Sequence, residues 1–576
     1  MSRLAKTPAW VTIALIGLAF VFRLLYGLSS PFWPEDERQV YLIGLRSFAR
    51  GDWPYFGADV VWTGGQVPGA LLGLLIRAPL EIWPAPEAPF VLLNVLSFGA
   101  LCGFGWYLGR RFTDVPRWLI WSVLLTLPWT MNFSTHIVNP SYVLTGAILF
   151  FVGFFEGFPA MRQRILPLGV AWALMGAGLF FVMQLHMSWV LLPPYVALAA
   201  AGVMFAPLDR LQMSRAQAMT GAGAGLLIGS ALTGSLLVPT LLRYGLGAGH
   251  VEGAIAWSIH GPMGLVTTAA RVLSFASFEM NRFLALTTAD RGFVLVRNPW
   301  MAPFLACVIL AGVAQPLWMA LTAFRRAPRE DAQWAHVRAL LAGTVVLIYL
   351  SYFLSVRGPQ AHSFYLVFPV AVLFAASCWQ VRAQAAGERW RRRMERVAAV
   401  VIGCSIVVHA GLAFDRWPRA SLYVDRPLVA AAIDERNDRF LGDRRDTVME
   451  LVDHRPRPID RVGDDNTYMT ERPEEVLHVE RAAWQRLTGG LSQFIVTIAN
   501  RGRAAAWLDI RYRTTYADAD GKEITSRENM IKRVVQPGAT LADLEVADDF
   551  APDDAARASF IIVTAERCIP WRRPGS

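Results

Sequence analysis

Over most of its length the chain alternates long apolar runs with short basic turns, and near its C-terminus the pattern changes period. Apolar runs able to cross about 30 Å of hydrocarbon at about 1.5 Å per helical residue start near Trp10, Pro89, Trp118, Val138, Leu166, Ser188, Gly221, Trp300, Ala339, Ser363 and Val397. They predict an all-α polytopic membrane region of about eleven transmembrane helices. A further stretch at 67–83, "VPGALLGLLIRAPLEIW", is shorter, carries Arg77 and contains Pro68 and Pro79. Lys and Arg accumulate at cytoplasmic span ends, and this rule decides whether 67–83 crosses. Only if it stays outside do Arg3, Lys6, Arg110/Arg111/Arg117, Arg162/Arg164, Arg210/Arg215, Arg325/Arg326/Arg329 and the run "GERWRRRMER" at 387–396 share the inner side. The outer side then holds the loops 29–88 and 241–299, the turns 132–139, 183–187 and 357–362, and everything after 414.

Residues 415–485 are polar and rich in Arg and Asp, with "RPLVAAAIDERNDRFL" a candidate short helix. Beyond them the period becomes two. Leu508, Ile510, Tyr512 and Tyr516 share one strand face and Asp509, Arg511 and Arg513 the other, with turn signals at Asn500-Arg501-Gly502 and Asp520-Gly521. The expected organisation is a transmembrane domain over 1–414, a polar linker with short helices over 415–485, and a small β-sandwich-like periplasmic domain over 486–576. No catalytic constellation stands out in that last domain.

Composition agrees with the hydropathy. With 54% hydrophobic and 17% charged residues the chain lies outside the soluble range. The net charge of +10 comes from arginine clusters between apolar runs, not from one basic face, so it reads as topology and not as nucleic-acid binding. Cys102, Cys307, Cys378 and Cys404 fall inside apolar runs and Cys568 in a polar region, so neither a disulfide framework nor a zinc spacing is expected. Without a cleavage signal, the first apolar run is expected to be a retained span. "GAGAGLLIG" at 221–229 lies inside a run and reads as close helix packing, not a nucleotide loop. Arg23 is the main ionisable exception within the membrane, and such scarcity weighs against transport.

The chemistry centres on "PFWPEDERQV" at 31–40, directly after the first span. Glu35, Asp36 and Glu37 fit two readings: acids in the first turn of a helix opened by Pro34, or a carboxylate placed for catalysis at the membrane edge. The stretch "EDERQVYLIGLRSFARGDWPYF" followed by "GGQVPGALLGLLIRAPLEIW" resembles the start of GT-C glycosyltransferases. The branch in question holds aminoarabinose transferases, protein O-mannosyltransferases and Rgt-like enzymes. That resemblance implies Asp36 as the catalytic acid and Glu37 as its neighbour, with a polyprenyl-phosphate sugar as donor. It also implies Arg357 and His362 in "SVRGPQAHSFYLVFP", with Tyr365 and Pro369, as the basic and aromatic group before a late span.

Other candidates come from their places at outer helix ends. Arg271 and Arg282 in the large outer loop could hold the donor phosphate or face headgroups. Asp59, His136, Asn139, Gln184 and His186 are candidates for sugar or acceptor contact, although a lone histidine at such an end is more often an interfacial cap. Where the family often has an acid before proline, this chain has Asn139-Pro140, which removes a possible second carboxylate. No metal-ligand cluster appears, and use of a divalent metal stays open. The expected function is inverting transfer of a sugar to a lipid, glycan or protein acceptor at the external face of a bacterial inner membrane. A flippase for lipid-linked sugars and a noncatalytic anchor for the β-domain are the alternatives.

Overall fold

The computed structural model describes residues 9–29, 40–41, 43–45, 47–48, 51, 53–60, 65–246, 257, 261–275, 277–285, 288–325, 332–354, 361–417, 471–486, 491–502, 505–531 and 535–568. Asp36, Glu37 and Arg357 lie outside the described residues, as do the side chains of Asp59 and His362. The chain forms two compact units, one of residues 1–283 and 303–426, the other of 284–302 and 427–576.

The first unit is helical. Its elements are α1 (Ala9–Ser29), a small hairpin β1 (Phe56–Val60) and β2 (Gly65–Pro68), α2 (Leu71–Ile82), α3 (Ala88–Arg111), α4 (Arg117–Thr126), α5 (Pro128–Asn132), α6 (Asn139–Gly157), α7 (Leu168–Met183) and α8 (Pro193–Phe205). After them come α9 (Leu208–Leu211), α10 (Arg215–Gly234), α11 (Val238–Tyr244) and α12 (Pro262–Leu273). Among the described residues seven helices are long and apolar enough to cross a membrane, and the apolar helices over 14–29, 117–126 and 168–183 are shorter. The last long helix, Phe368–Arg416, is two limbs joined at Gly387, whose φ of 73° no helical residue adopts. Each apolar run of the sequence carries a helix, but eleven crossings would need all the short ones as well. Helix α4 is short because Pro128 has no N–H to continue the ladder, so the chain turns at Leu127 and restarts as α5.

Helix α2 covers the disputed segment 67–83. Its 12 residues span about 18 Å, too little for about 30 Å of hydrocarbon. It buries Leu71, Leu72, Leu75, Ile76 and Leu80 along one face and leaves Ile82 exposed.

Contacts sort the helix ends into two sets. At one set the Thr240 hydroxyl donates to the Tyr55 carbonyl at 2.8 Å, and the Tyr349 hydroxyl to the Gly261 carbonyl at 3.2 Å. At the other, Gln163 bonds Gln333 at 2.6 Å and Gln384 bonds Asp114 at 3.2 Å. This second set carries the basic clusters, and part of their role is structural. Arg111 donates to the Tyr107 hydroxyl at 2.7 Å and lies 3.7 Å from Glu156, whose other oxygen accepts the Ile165 amide at 3.0 Å. Ser214 opens α10 with a reciprocal cap: Gln217 N–H donates to Ser214 Oγ at 3.2 Å, and Ser214 N–H to Gln217 Oε1 at 3.1 Å.

The second unit contains α13 (Thr288–Arg297) and the strands β3 (Leu477–Arg486), β4 (Leu491–Asn500), β5 (Ala506–Ala517), β6 (Glu523–Ile531), β7 (Thr540–Phe550) and β8 (Arg557–Cys568). Two three-stranded antiparallel sheets, ordered β3-β4-β7 and β6-β5-β8, face each other across Phe494, Val496, Ile498, Trp507, Ile510, Tyr512, Tyr516 and Phe560. This is the expected sandwich, with Ile510, Tyr512 and Tyr516 buried as the alternation requires. Its limits differ from 486–576 in two ways. Strand β3 lies inside the stretch read as linker; it is an edge strand in which half the residues are polar or charged and do not alternate with the apolar ones. Helix α13, read as part of an outer loop, packs against β4 and β7.

Candidate functional site

A buried polar network sits where α1 meets the stretch 125–136. Helix α1 approaches so closely at Gly27 that a side chain there would overlap the Thr135 backbone. One turn earlier Arg23 is fully buried, and its guanidinium donates to the carbonyls of Leu125 at 2.8 Å and Thr130 at 3.0 Å and to Ser134 Oγ at 2.5 Å. These acceptors are neutral, but Leu125 and Thr130 lie in the last turns of α4 and α5, where unpaired carbonyls carry the negative end of the helix dipole. The cation thus caps two helices at once.

Proton positions in the next layer follow from its acceptors. Ser405 O can only accept, so at 2.6 Å the proton lies on His409 Nδ1, and Nε2 then accepts from Asn132 Nδ2 at 3.2 Å. Asn132 also donates to Pro128 O at 2.8 Å and accepts from the Tyr26 hydroxyl at 2.6 Å. The Tyr26 ring stands edge-on to His136 and His409, at centroid distances of 5.2 and 5.0 Å. Thr135 Oγ1 gives its proton to Met131 O at 2.5 Å, so His136 Nδ1 donates to that oxygen at 2.9 Å. Burial, aided by the nearby positive charge of Arg416 and by His409, holds His136 well below the ordinary imidazole value.

Arginines lie beside this layer. Arg416, at the end of the last helix, is buried, donates to the Phe283 carbonyl and lies against the Tyr26 hydroxyl. The Phe283 ring stands edge-on to Phe133 at 5.4 Å. In the residues just before it, Arg271 and Arg282 both reach Glu279, at 2.9 and 3.2 Å. Arg282 is half exposed, whereas Glu279 is buried. Arg282 presents arginine N–H groups at the surface beside this buried polar layer, which suits an anion with several oxygens.

The structure brings several sequence candidates together. Arg271 and Arg282 share one carboxylate, His136 belongs to the buried layer, and Tyr365 lies beside Ser134 and Arg23 with its ring against Phe133 at 5.3 Å. Asn139 opens α6 just beyond His136. Gln184 and His186 serve the scaffold: Gln184 donates to Phe180 O and Thr233 O at 3.0 and 2.9 Å, and His186 caps the short helix Met187–Leu191. Asp59 is placed by its backbone in β1, opposite Gln66. Tyr26, Asn132, Glu279, His409 and Arg416 were not anticipated. Their signal was a polar residue inside or at the end of an apolar run, which is costly unless it is paired.

The architecture and this network define a multi-pass helical membrane protein with a strand-rich C-terminal domain and an arginine-lined polar site at one set of helix ends. No family model and no curated protein matches the chain. Among solved structures it is similar to ArnT from Cupriavidus metallidurans bound to undecaprenyl phosphate, at 13% identity and a TM-score of 0.41 over 75% of this chain and 79% of that one. It is also similar to the arabinosyltransferase EmbB from Mycobacterium smegmatis, at 11% identity and a TM-score of 0.33 over 99% and 66%. Both likenesses are distant.

Proposed function

We propose that the chain is an inverting glycosyltransferase of the inner membrane, moving a sugar from a polyprenyl-phosphate carrier to an envelope lipid, glycan or protein at the periplasmic face. One observation carries this reading: Arg416 lies against Tyr26 near the end of α1, the helix from which the chain runs on to Asp36, and bonds the carbonyl of Phe283, next in the chain to Arg282, which shares Glu279 with Arg271. A lipid-linked donor needs cations for the phosphate and a carboxylate at the same membrane edge.

In the reaction the acceptor hydroxyl oxygen bonds to the anomeric carbon while the bond from that carbon to the carrier's phosphate oxygen breaks, its electron pair leaving with the phosphate. Asp36 takes the hydroxyl proton, and Glu37 supports it. The charge that grows on the departing phosphate is met by Arg271 and Arg282, with Arg357 and His362 as further contacts. Tyr365 and Arg23 hold the stretch 130–136 against α1, and His136 and Asn139 border the space where sugar or acceptor lies. Gln184 and His186 keep the 184–188 turn in place around it, and Asp59 is a further candidate for sugar or acceptor contact.

The test is purified protein with a panel of polyprenyl-phosphate sugars, following release of polyprenyl phosphate. Asp36→Asn should slow turnover at least about 100-fold, and Arg282→Ala should raise the KM for donor about tenfold. Turnover unchanged in Asp36→Asn removes the proposed base. Binding of every sugar without turnover favours the flippase.

A further inference from the structure

Apart from the site above, one arginine is held for use at the rim of the molecule. Arg243 lies in the last turn of α11, which ends at Gly245 with φ 77°. Its guanidinium stacks over the Tyr55 ring at 4.8 Å and the Tyr244 ring at 5.6 Å, and its Nη1 donates to the Tyr55 hydroxyl at 3.0 Å. Tyr55 is itself fixed, because its carbonyl accepts from Thr240 Oγ1 at 2.8 Å and from the Gly69 amide at 2.9 Å. Among the described residues no carboxylate pairs with Arg243.

The surroundings are apolar and outward. The helical stretch 215–244 is long and apolar enough to cross a membrane, and only 22% of its most apolar window is buried. Around Arg243, Val238, Leu242 and Leu246 are 47%, 83% and 94% exposed. A helix with such a surface faces lipid, and an arginine at its end lies at headgroup depth. Ordinary snorkelling leaves the guanidinium free to rotate. Here two rings and a hydrogen bond fix its plane, so its remaining N–H groups point outward in one geometry, and little entropy is left to lose on binding.

We propose that Arg243, with Tyr55 and Tyr244, is a seat for the phosphodiester of an anionic bilayer phospholipid. The ligand is a bilayer lipid and not the sugar carrier because the seat opens onto the lipid-facing side of the helix. The inference does not depend on the transferase reading. Since Tyr55 belongs to the first outer loop, occupancy of the seat steadies that loop where it meets α11.

The test uses the full chain in nanodiscs of phosphatidylcholine with or without phosphatidylglycerol, followed by native mass spectrometry to count retained lipids. Wild type should keep one phosphatidylglycerol that Arg243→Ala loses. Arg243→Lys, which keeps the charge but not the fork, should hold it about tenfold more weakly, and Arg77→Ala, a loss of charge on the first outer loop, should leave it unchanged. Equal retention in wild type and Arg243→Ala overturns the seat, and equal retention in wild type and Arg243→Lys reduces it to simple charge attraction. Displacement of the retained lipid by equimolar polyprenyl phosphate overturns the choice of ligand. If Arg243→Ala fails to fold, Arg243→Lys against wild type decides.

Discussion

His136 shows how the site responds to acid. It is buried between Tyr26 and Thr135, and its pKa is lowered first by desolvation and then by the positive charge of Arg416. Above about pH 6.5 the imidazole is neutral in both folded and unfolded chains and contributes nothing to pH dependence. Below that value the unfolded chain takes up a proton that the folded chain refuses, so the folded state loses stability as pH falls. Thermal melts of detergent-solubilised protein at pH 7 and pH 5 should show this fall in wild type and a smaller one in His136→Gln. An identical fall in both would remove His136 as its source. At this scale the sequence singles out His136 and Arg23, because each interrupts or borders an apolar run, whereas Tyr365 stands out only through the family resemblance. Their partners Asn132, His409 and Arg416 could not be read, since 277 residues separate Asn132 from His409 and no local pattern encodes that contact.

Elements were easier to read than their lengths. The run "GAGAGLLIG" does pack closely, but only two of its glycines are needed for it. A side chain at Gly225 would overlap the Gly169 carbonyl and one at Gly229 the Ala173 carbonyl, both on α7, whereas Gly221 and Gly223 face open space. Backbones this near leave no room for a methyl group, and within lipid such packing is what holds helices together. Gly229→Val should therefore lower the melting temperature by several degrees, corresponding to about 1–3 kcal/mol or more of overpacking, while Gly223→Ala should be silent. Equal effects of the two substitutions would mean that α7 and α10 do not meet in this register. The segment 67–83 is set apart from the spans by the distribution of Lys and Arg, and its helix has 12 residues. The division of 117–132 at Pro128 was missed, because hydropathy continues through it while the hydrogen-bond ladder does not.

In the whole molecule, the strand-rich unit is not a simple C-terminal appendage. It takes residues 284–302 from the middle of the chain, and α13 within them packs on β4 and β7 with Phe293 and Val294 buried. The sequence could not reveal this, because "TADRGFVLVR" is an ordinary amphipathic segment and its partner strands begin almost two hundred residues later. Truncation after residue 414 strips α13 of the sheet it covers, so a loss of function would report damage to the outer loop as well as absence of the β-domain. A point change separates the two. Phe293→Ala should destabilise the strand-rich unit by about 3 kcal/mol, and hydrogen–deuterium exchange should find the amides of β4 and β7 less protected. Those of α6, in the helical unit, should be unchanged. Full protection of β4 and β7 in the variant would show that the sheet stands without α13, and truncation would then be a fair test of the anchor after all.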